Sequence, residues 1–311
     1  MENKISVIIP TRNRRKFLEQ AINSIVAQYS VNVEVIIVDD ASTDDTKEYV
    51  SSINKNDIEI KYFQNEKSMF AHEARRLGYL NATGKYIVFM DDDDFYTDIN
   101  FFYDALEIFL HDSNVSTVIG STIEFKNGQY GKKIDLKGNG KINGDDYLNG
   151  FNCKYTKPKS TMSAMFKKEL LDRVHLSSSK MVNDTCIYLY GISDGDIYLI
   201  NRPVAAYRVH DTNISKRKFD YAFIKNVLQT KLEIYNMVYE KIKDKEQWLF
   251  VQMSQSAYYF ILCSGKDLKT VFFIMRWIFL NAKEIRCRII KDIFYKAFKL
   301  RGKGISDEYK K

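Results

Sequence analysis

Short apolar runs that stop at acidic residues, separated by stretches with helical spacing, constrain this chain more than any other feature. "ISVIIP" (5–10) reads as a buried strand ended by Pro10, and "RKFLEQAINSIVAQ" (15–28) sets Phe17, Leu18, Ala21, Ile22, Ile25 and Val26 on one helix face. "VEVIIVDD" (33–40) is a second strand and "IEIKYF" (58–63) a third. Between them "STDDTKEYVSSI" (42–53) opens with a Ser/Thr cap and the acids that suit a helix N-terminus. "HEARRLGYLNA" (72–82), "YIVFM" (86–90) and "INFFYDALEIFLHD" (99–112) continue as helix, strand and helix. Such alternation folds as an α/β domain around a doubly wound, mostly parallel sheet.

Open α/β sheets bind ligands outside the carboxyl ends of their strands. Two acidic groups stand there, Asp39-Asp40 and Asp91, Asp92, Asp93 and Asp94. Unit charges 4 Å apart repel by roughly 1 kcal/mol in bulk water and by several times that near a protein surface. Four acids in a row therefore either form a solvated turn or hold a cation. No G-x-G-x-x-G follows the first strand and no G-x-x-x-x-G-K-[ST] occurs anywhere, which disfavours a nicotinamide cofactor and P-loop ATP binding. What remains is a phosphorylated ligand gripped through Mg²⁺ or Mn²⁺, which prefers carboxylates plus phosphate oxygens.

The order of the motifs resembles that of glycosyltransferase family 2. The resemblance is carried by "SVIIPTRNR" (6–14), "EVIIVDDASTDDT" (34–46), "EARRLGYLNATGKYIVFMDDDD" (73–94), "VNDT" (182–185) and "YRVHDTNIS" (207–215). It implies an inverting enzyme with the GT-A nucleotide-sugar fold over about residues 4–215. It further implies contacts to a UDP-sugar from Pro10, Thr11, Asn13 and Asp40, the last accepting the uracil N3–H, and from Arg75 to the diphosphate. Arg76 stands where the family has Asn, and is expected to face solvent. The family's D-x-D falls on Asp91 and Asp93: Asp93 is the expected direct metal ligand, Asp91 lies near ribose and metal, and Asp94 supports. Asp92 joins the nucleotide-sugar contacts; by period-two alternation it turns away from its neighbours, as a solvated or supporting charge. His210 is the further candidate metal ligand.

Transfer to a hydroxyl also needs a base. Asp184 holds the position of the family's catalytic carboxylate, with helix N-capping as the alternative; Asn183 before it could orient the base or acceptor. The region 150–171, with "STMSAMF" as a strand followed by a helix, is expected to build the acceptor side; "IYLIN" (197–201) is a further strand after turn acids Asp194 and Asp196. A nucleotidyltransferase is disfavoured because "PTRNRRKF" has no glycine, and a non-catalytic relative because Asp40, Asp91, Asp93 and Asp184 are all present.

Composition separates the end of the chain from this domain. Residues 216–311 carry 21 Lys and Arg against 10 Asp and Glu, a net of +11, while residues 1–215 carry a net of −4. A boundary is expected near Ser215, between a catalytic domain (1–215) and a basic, amphipathic helical region (216–311). The helices could pack as a cap, join subunits into a homo-oligomer, or dock on an anionic membrane, the reading the charge favours. No nucleic-acid module accompanies the basic stripe. "TVFFIMRWIFL" (270–280) is interrupted by Arg276 and too short to span a bilayer. Cys153, Cys186, Cys263 and Cys287 lack metal-ligand spacing and no signal peptide is evident, so reduced thiols and a cytoplasmic location, peripheral on the inner face of the membrane, are expected. The frequent Lys, Ile, Asn and Tyr point to a bacterial source. The acceptor is then a glycan or lipid-linked saccharide of surface polysaccharide, teichoic acid or lipooligosaccharide synthesis.

Overall fold

In the computed structural model, residues 3–54, 58–210 and 219–299 are described, and they fall into two compact units, 3–210 and 219–299. The first unit runs β1 (Ile5–Thr11), α1 (Arg15–Val26), β2 (Val33–Asp39), α2 (Thr46–Ser52), β3 (Glu59–Gln64), α3 (Phe70–Leu80), β4 (Tyr86–Phe89), β5 (Phe95–Tyr96) and α4 (Phe101–His111). It continues with β6 (Val115–Lys126), β7 (Gln129–Lys133), β8 (Gly140–Ile142), α5 (Gly144–Gly150), β9 (Ala164–Lys167), α6 (Lys168–Arg173), α7 (Asp184–Gly191) and β10 (Asp196–Arg208). The expected α/β alternation is present.

The sheet order is β3-β2-β1-β4-β9-β6-β10-β5. β1 pairs in parallel with β2 and β4, and β2 with β3, while β9 runs antiparallel to both β4 and β6. Because β9 reverses twice, β6 and its parallel partner β10 point the same way as β1 to β4. The carboxyl ends of β1, β2, β4, β6 and β10 therefore share one edge. Every residue of β1 and β4 is buried, as the unbroken apolar runs require of strands covered on both faces. Val7 and Ile9 pack in one core cluster with Leu18, Ile22 and Ile25 of α1. Against the other face lies α3, so close that a Cβ on Gly78 would come within 2.4 Å of Ile8 Cγ2. That approach fixes the depth of the helix and of Arg75, one turn earlier.

Three local differences from the sequence reading have physical causes. Helix α2 starts at Thr46, four residues late, because Asp39 Oδ1 accepts the Ser42 N–H at 2.7 Å and Asp44 accepts the Thr46 hydroxyl, holding 41–45 as a loop. Only Ala164–Lys167 of "STMSAMFK" is strand, since the Ser160 hydroxyl caps a 3₁₀ turn at Thr161–Ser163. Strand β10 continues past Pro203 to Arg208 through register shifts against β6, the irregularity at which a strand proline is tolerated.

The second unit comprises α8 (Tyr221–Met237), α9 (Lys245–Cys263), α10 (Leu268–Asn281) and α11 (Arg286–Lys299). Asp220, Asp244 and Asp267 cap the first three, accepting the N–H of Phe223, Gln247 and Thr270. Ile224, Leu228, Leu249, Met253, Ile274, Ile278 and Ile289 are buried in it, and Lys231, also buried, donates to the Gln252 carbonyl at 2.7 Å. No helix among the described residues is long and apolar enough to cross a membrane.

Candidate active site

Strand β4 delivers its acids as a tight turn in which the Asp94 N–H donates to the Asp91 carbonyl at 3.3 Å. Carboxylate oxygens of Asp91, Asp93 and Asp94 lie within 4.8 Å of one another. Three cationic side chains from other elements offset that repulsion. Arg14, after β1, reaches Asp92 at 3.0 Å and Asp93 at 2.7 Å; Arg75, on α3, pairs with Asp91. Arg208, at the end of β10, donates its backbone N–H to Asp94 Oδ1 at 2.8 Å and its Nε to the Asp93 carbonyl at 2.7 Å. His210 Nε2 lies 2.9 Å from Asp93 Oδ2, its ring stacked 5.3 Å from that of Phe17.

One oxygen is left over. Asp94 Oδ2 is buried without a hydrogen-bond partner, and burial together with the charges of Asp93 and Asp91 raises the Asp94 carboxyl well above its usual range. An orphaned oxygen beside two further carboxylates is a donor set that suits a hard divalent cation. The carboxylate set is thus Asp91, Asp93 and Asp94, with His210, the further candidate ligand, beside Asp93. For Asp92 the structure removes the solvated alternative and leaves the supporting one. It is not solvated but 4% exposed, with one oxygen taken by Thr11 at 2.8 Å and the other by Arg14. Burial lifts its carboxyl to about 7, Arg14 opposing and Asp93 adding to the rise. With both oxygens engaged, Asp92 ties β1 to the acidic turn.

Arg75 joins this turn to the expected base. Its Nη2 lies 3.1 Å from Asp184 Oδ1 as well as bonding to Asp91, and it is 5% exposed. Arg76 pairs instead with Glu73 at 2.8 Å, so adjacent helix positions divide the two arginines between site and surface. Asp184 opens α7, but Asn183 is the N-cap, accepting the Cys186 N–H at 3.0 Å. The cap therefore falls on Asn183 and not on Asp184, the alternative the sequence raised. By capping, Asn183 leaves the Asp184 side chain, 34% exposed, for other work. Burial raises the Asp184 carboxyl; Arg75 opposes that, Asp91 adds to it, and Lys157 opposes it again. Lys157 donates to the Pro158 carbonyl at 3.0 Å and sits 5.4 Å over the Tyr188 ring on α7.

The neighbouring loops form a cradle. Asn13 Oδ1 accepts the Thr43 N–H at 2.7 Å, while its own N–H donates to the Ser42 hydroxyl at 2.9 Å, joining the ends of β1 and β2. Pro10 is buried within β1 and Thr11 spends its hydroxyl on Asp92. Asp40 accepts four donors: Asn65, the Ser68 hydroxyl, and the N–H groups of Met69 and Phe70. Burial disfavours its charge, but those bonds, led by Ser68, outweigh that and hold the carboxyl below its ordinary value. As arranged, Asp40 holds the 65–70 loop, with no oxygen left over for a uracil N3–H.

That loop stores strain. Phe70 has φ 66°, a left-handed conformation that is a true outlier for a bulky residue, and its ring is 62% exposed. Phe70→Gly is therefore expected to leave thermal stability unchanged or to raise it by up to about 1 kcal/mol, since the left-handed region costs an L-residue roughly 1–2 kcal/mol. Phe70→Ala, which keeps the strain, should show no gain. A fall in melting temperature for the glycine variant would mean that the ring holds the loop.

Sequence reasoning did not single out Arg14 or Arg208. Arg208 stood inside a quoted motif; Arg14 stood among three arginines of which only the fold selects one.

A doubly wound sheet with one reversed central strand and acids at the ends of β2 and β4 defines the GT-A class of glycosyltransferase folds. The sequence profile of glycosyl transferase family 2 matches residues 6–174, and the chain belongs to that family. A Campylobacter jejuni relative, the GalNAc(5)-diNAcBac-PP-undecaprenol beta-1,3-glucosyltransferase, is 30% identical over 209 residues, 66% of this chain and 65% of the relative. This chain thus spans slightly less than two thirds of that relative's length. Staphylococcus aureus TarS 1-349, solved with UDP, superimposes with a TM-score of 0.68 at 18% identity, covering 96% of this chain and 90% of the other. The mannosyltransferase PcManGT of Pyrobaculum calidifontis, solved with GDP-Man and Mn²⁺, does so with a TM-score of 0.53 at 16% identity, covering 95% and 86%. These two likenesses bear on the fold alone.

Proposed function

We propose that this chain is an inverting, metal-assisted glycosyltransferase that moves a sugar from a UDP-sugar to a hydroxyl of a glycan or lipid-linked saccharide in bacterial surface-glycan synthesis. The observation that carries this reading is the Arg75 bridge: one buried guanidinium joins Asp91 of the acidic turn to Asp184. It sets a carboxylate that can take a proton beside a cluster that can bind a nucleoside diphosphate through a cation. Support comes from family membership and from one relative named as a glucosyltransferase acting on an undecaprenol-linked glycan.

Asp91, Asp93 and Asp94 would hold Mn²⁺ or Mg²⁺, which when bound offsets the charge that builds on the departing diphosphate. Arg75, freed from one carboxylate, adds a positive charge on the same side. In a single displacement, the acceptor oxygen bonds to the anomeric carbon as the bond from that carbon to the phosphate oxygen breaks. The electron pair leaves with UDP, and the acceptor proton passes to Asp184. An α-linked donor then gives a β-linked product. The test is a screen of UDP-glucose, UDP-galactose, UDP-N-acetylglucosamine and their relatives for UDP release with Mn²⁺, Mg²⁺ or EDTA. Release from one donor only with metal is expected; silence with every UDP-sugar, beside turnover of a GDP-sugar, would overturn the donor assignment.

A further inference from the structure

We infer that the outer face of α10 docks on an anionic lipid surface. The helix is apolar all round, yet only one side of it is packed. Val271, Ile274, Trp277 and Ile278 are buried, whereas Leu268, Phe272, Phe279 and Leu280 are 45%, 65%, 51% and 58% exposed. At about 100° per residue these four fall within roughly 120° of arc, opposite the buried side. Arg276 lies within that arc, and Lys269 falls in it by the same spacing; both are exposed. The arc holds no acid. Asp267 is engaged in capping the helix, and Glu284 accepts the Tyr235 hydroxyl at 2.5 Å.

An apolar stripe that carries its own cations fits a lipid surface, where ring and alkyl groups enter the acyl boundary and Lys and Arg reach the headgroups. A second copy fits less well, because a self-complementary contact would set Arg276 near its own mate with no carboxylate to separate them. Fourteen residues give a helix of about 21 Å, too short to span a bilayer and suited to lying in its plane. The net +11 of residues 216–311 supplies attraction to negative lipid. Arg288, by contrast, is committed within the unit, 4.0 Å over the Phe250 ring and 3.6 Å from Glu246, whereas Arg286 stacks 5.3 Å over Phe279 and so sets a further cation beside the face. The lipid-facing cations are thus Lys269 and Arg276 with Arg286 beside them, which narrows the expectation drawn from charge alone.

The inference is independent of the donor and the reaction, so its test uses neither. Intact protein is sedimented with phosphatidylcholine vesicles, with and without phosphatidylglycerol, while light scattering after size exclusion reports its mass. Wild type should sediment with the phosphatidylglycerol vesicles at low salt and be released as salt rises, since screening acts over about 10 Å at 0.1 M. Phe272→Ser with Phe279→Ser, and separately Arg276→Glu, should each weaken that partition by about tenfold or more. These side chains are exposed, so circular dichroism of each variant should match wild type. Wild type left in the supernatant at low salt would overturn the inference, as would serine and glutamate variants that sediment unchanged. A dimer that the serine pair converts to monomer would also overturn it and assign the face to a second copy.

Discussion

Asp184→Asn is expected to lower kcat by about 10²-fold or more, with affinity for the nucleotide sugar close to that of the parent. The amide keeps the shape of the carboxylate and can still accept from Arg75, but it cannot take a proton from the acceptor hydroxyl. Because burial raises the Asp184 carboxyl, and Arg75 and Lys157 only partly oppose this, the parent should lose kcat/KM on the acid side. The midpoint should lie above the ordinary aspartate value of about 3.9. The sign follows from the role. A base works only when ionised, so activity is present above its raised pKa and lost as pH falls through it. In the asparagine variant that limb should vanish along with the rate. Asp184→Asn with near-parental turnover would move the base elsewhere, and a retained anomeric configuration by NMR would exclude single displacement altogether.

How much of this was legible before the structure depended on whether a residue's role is set along the chain or across it. The strand and helix pattern of residues 5–112 is local, since buried strands read as apolar runs and α1 as a 3.6-residue repeat, and the sheet follows. The D-x-D at Asp91 and Asp93 is local too. The solvated alternative for Asp92 failed because period-two alternation holds in a strand, and β4 ends at Phe89; beyond it the chain turns, and Asp92 meets Thr11 and Arg14 from the end of β1. No pattern in residues 86–96 announces partners about 80 positions away. Arg12, Arg14 and Arg15 look alike in sequence, yet Arg12 is exposed, Arg15 stacks 4.8 Å over Tyr49, and Arg14 alone turns to the acids. The sequence offered Asp184 as the alternative cap of α7, and the backbone there makes Asn183 the cap instead. In the second unit, periodicity showed that α10 is helical but not which of its apolar sides is packed.

A loss of comparable size is expected in nucleotide binding when the cation is removed. Asp91, Asp93 and Asp94 hold three carboxylates within 4.8 Å, with Asp94 Oδ2 buried and unpartnered. Arg14, Arg75 and Arg208 offset the cluster without reaching that oxygen. A bound divalent cation would complete it and present positive charge to a diphosphate, so UDP should bind more tightly with Mn²⁺ or Mg²⁺ than with EDTA. The coupling should be on the order of 5- to 150-fold by calorimetry, and by reciprocity UDP should tighten the metal by the same factor. Asp93→Asn should abolish most of that factor, because an amide cannot neutralise the ion as a carboxylate does. Asp184→Asn should preserve most of it, since Asp184 is paired with Arg75 and supplies no oxygen to the acidic turn. The two variants therefore separate the jobs, one losing metal-linked UDP affinity and the other losing turnover. Equal UDP affinity with metal and with EDTA in the parent would leave the acidic turn as a structural feature held by its arginines.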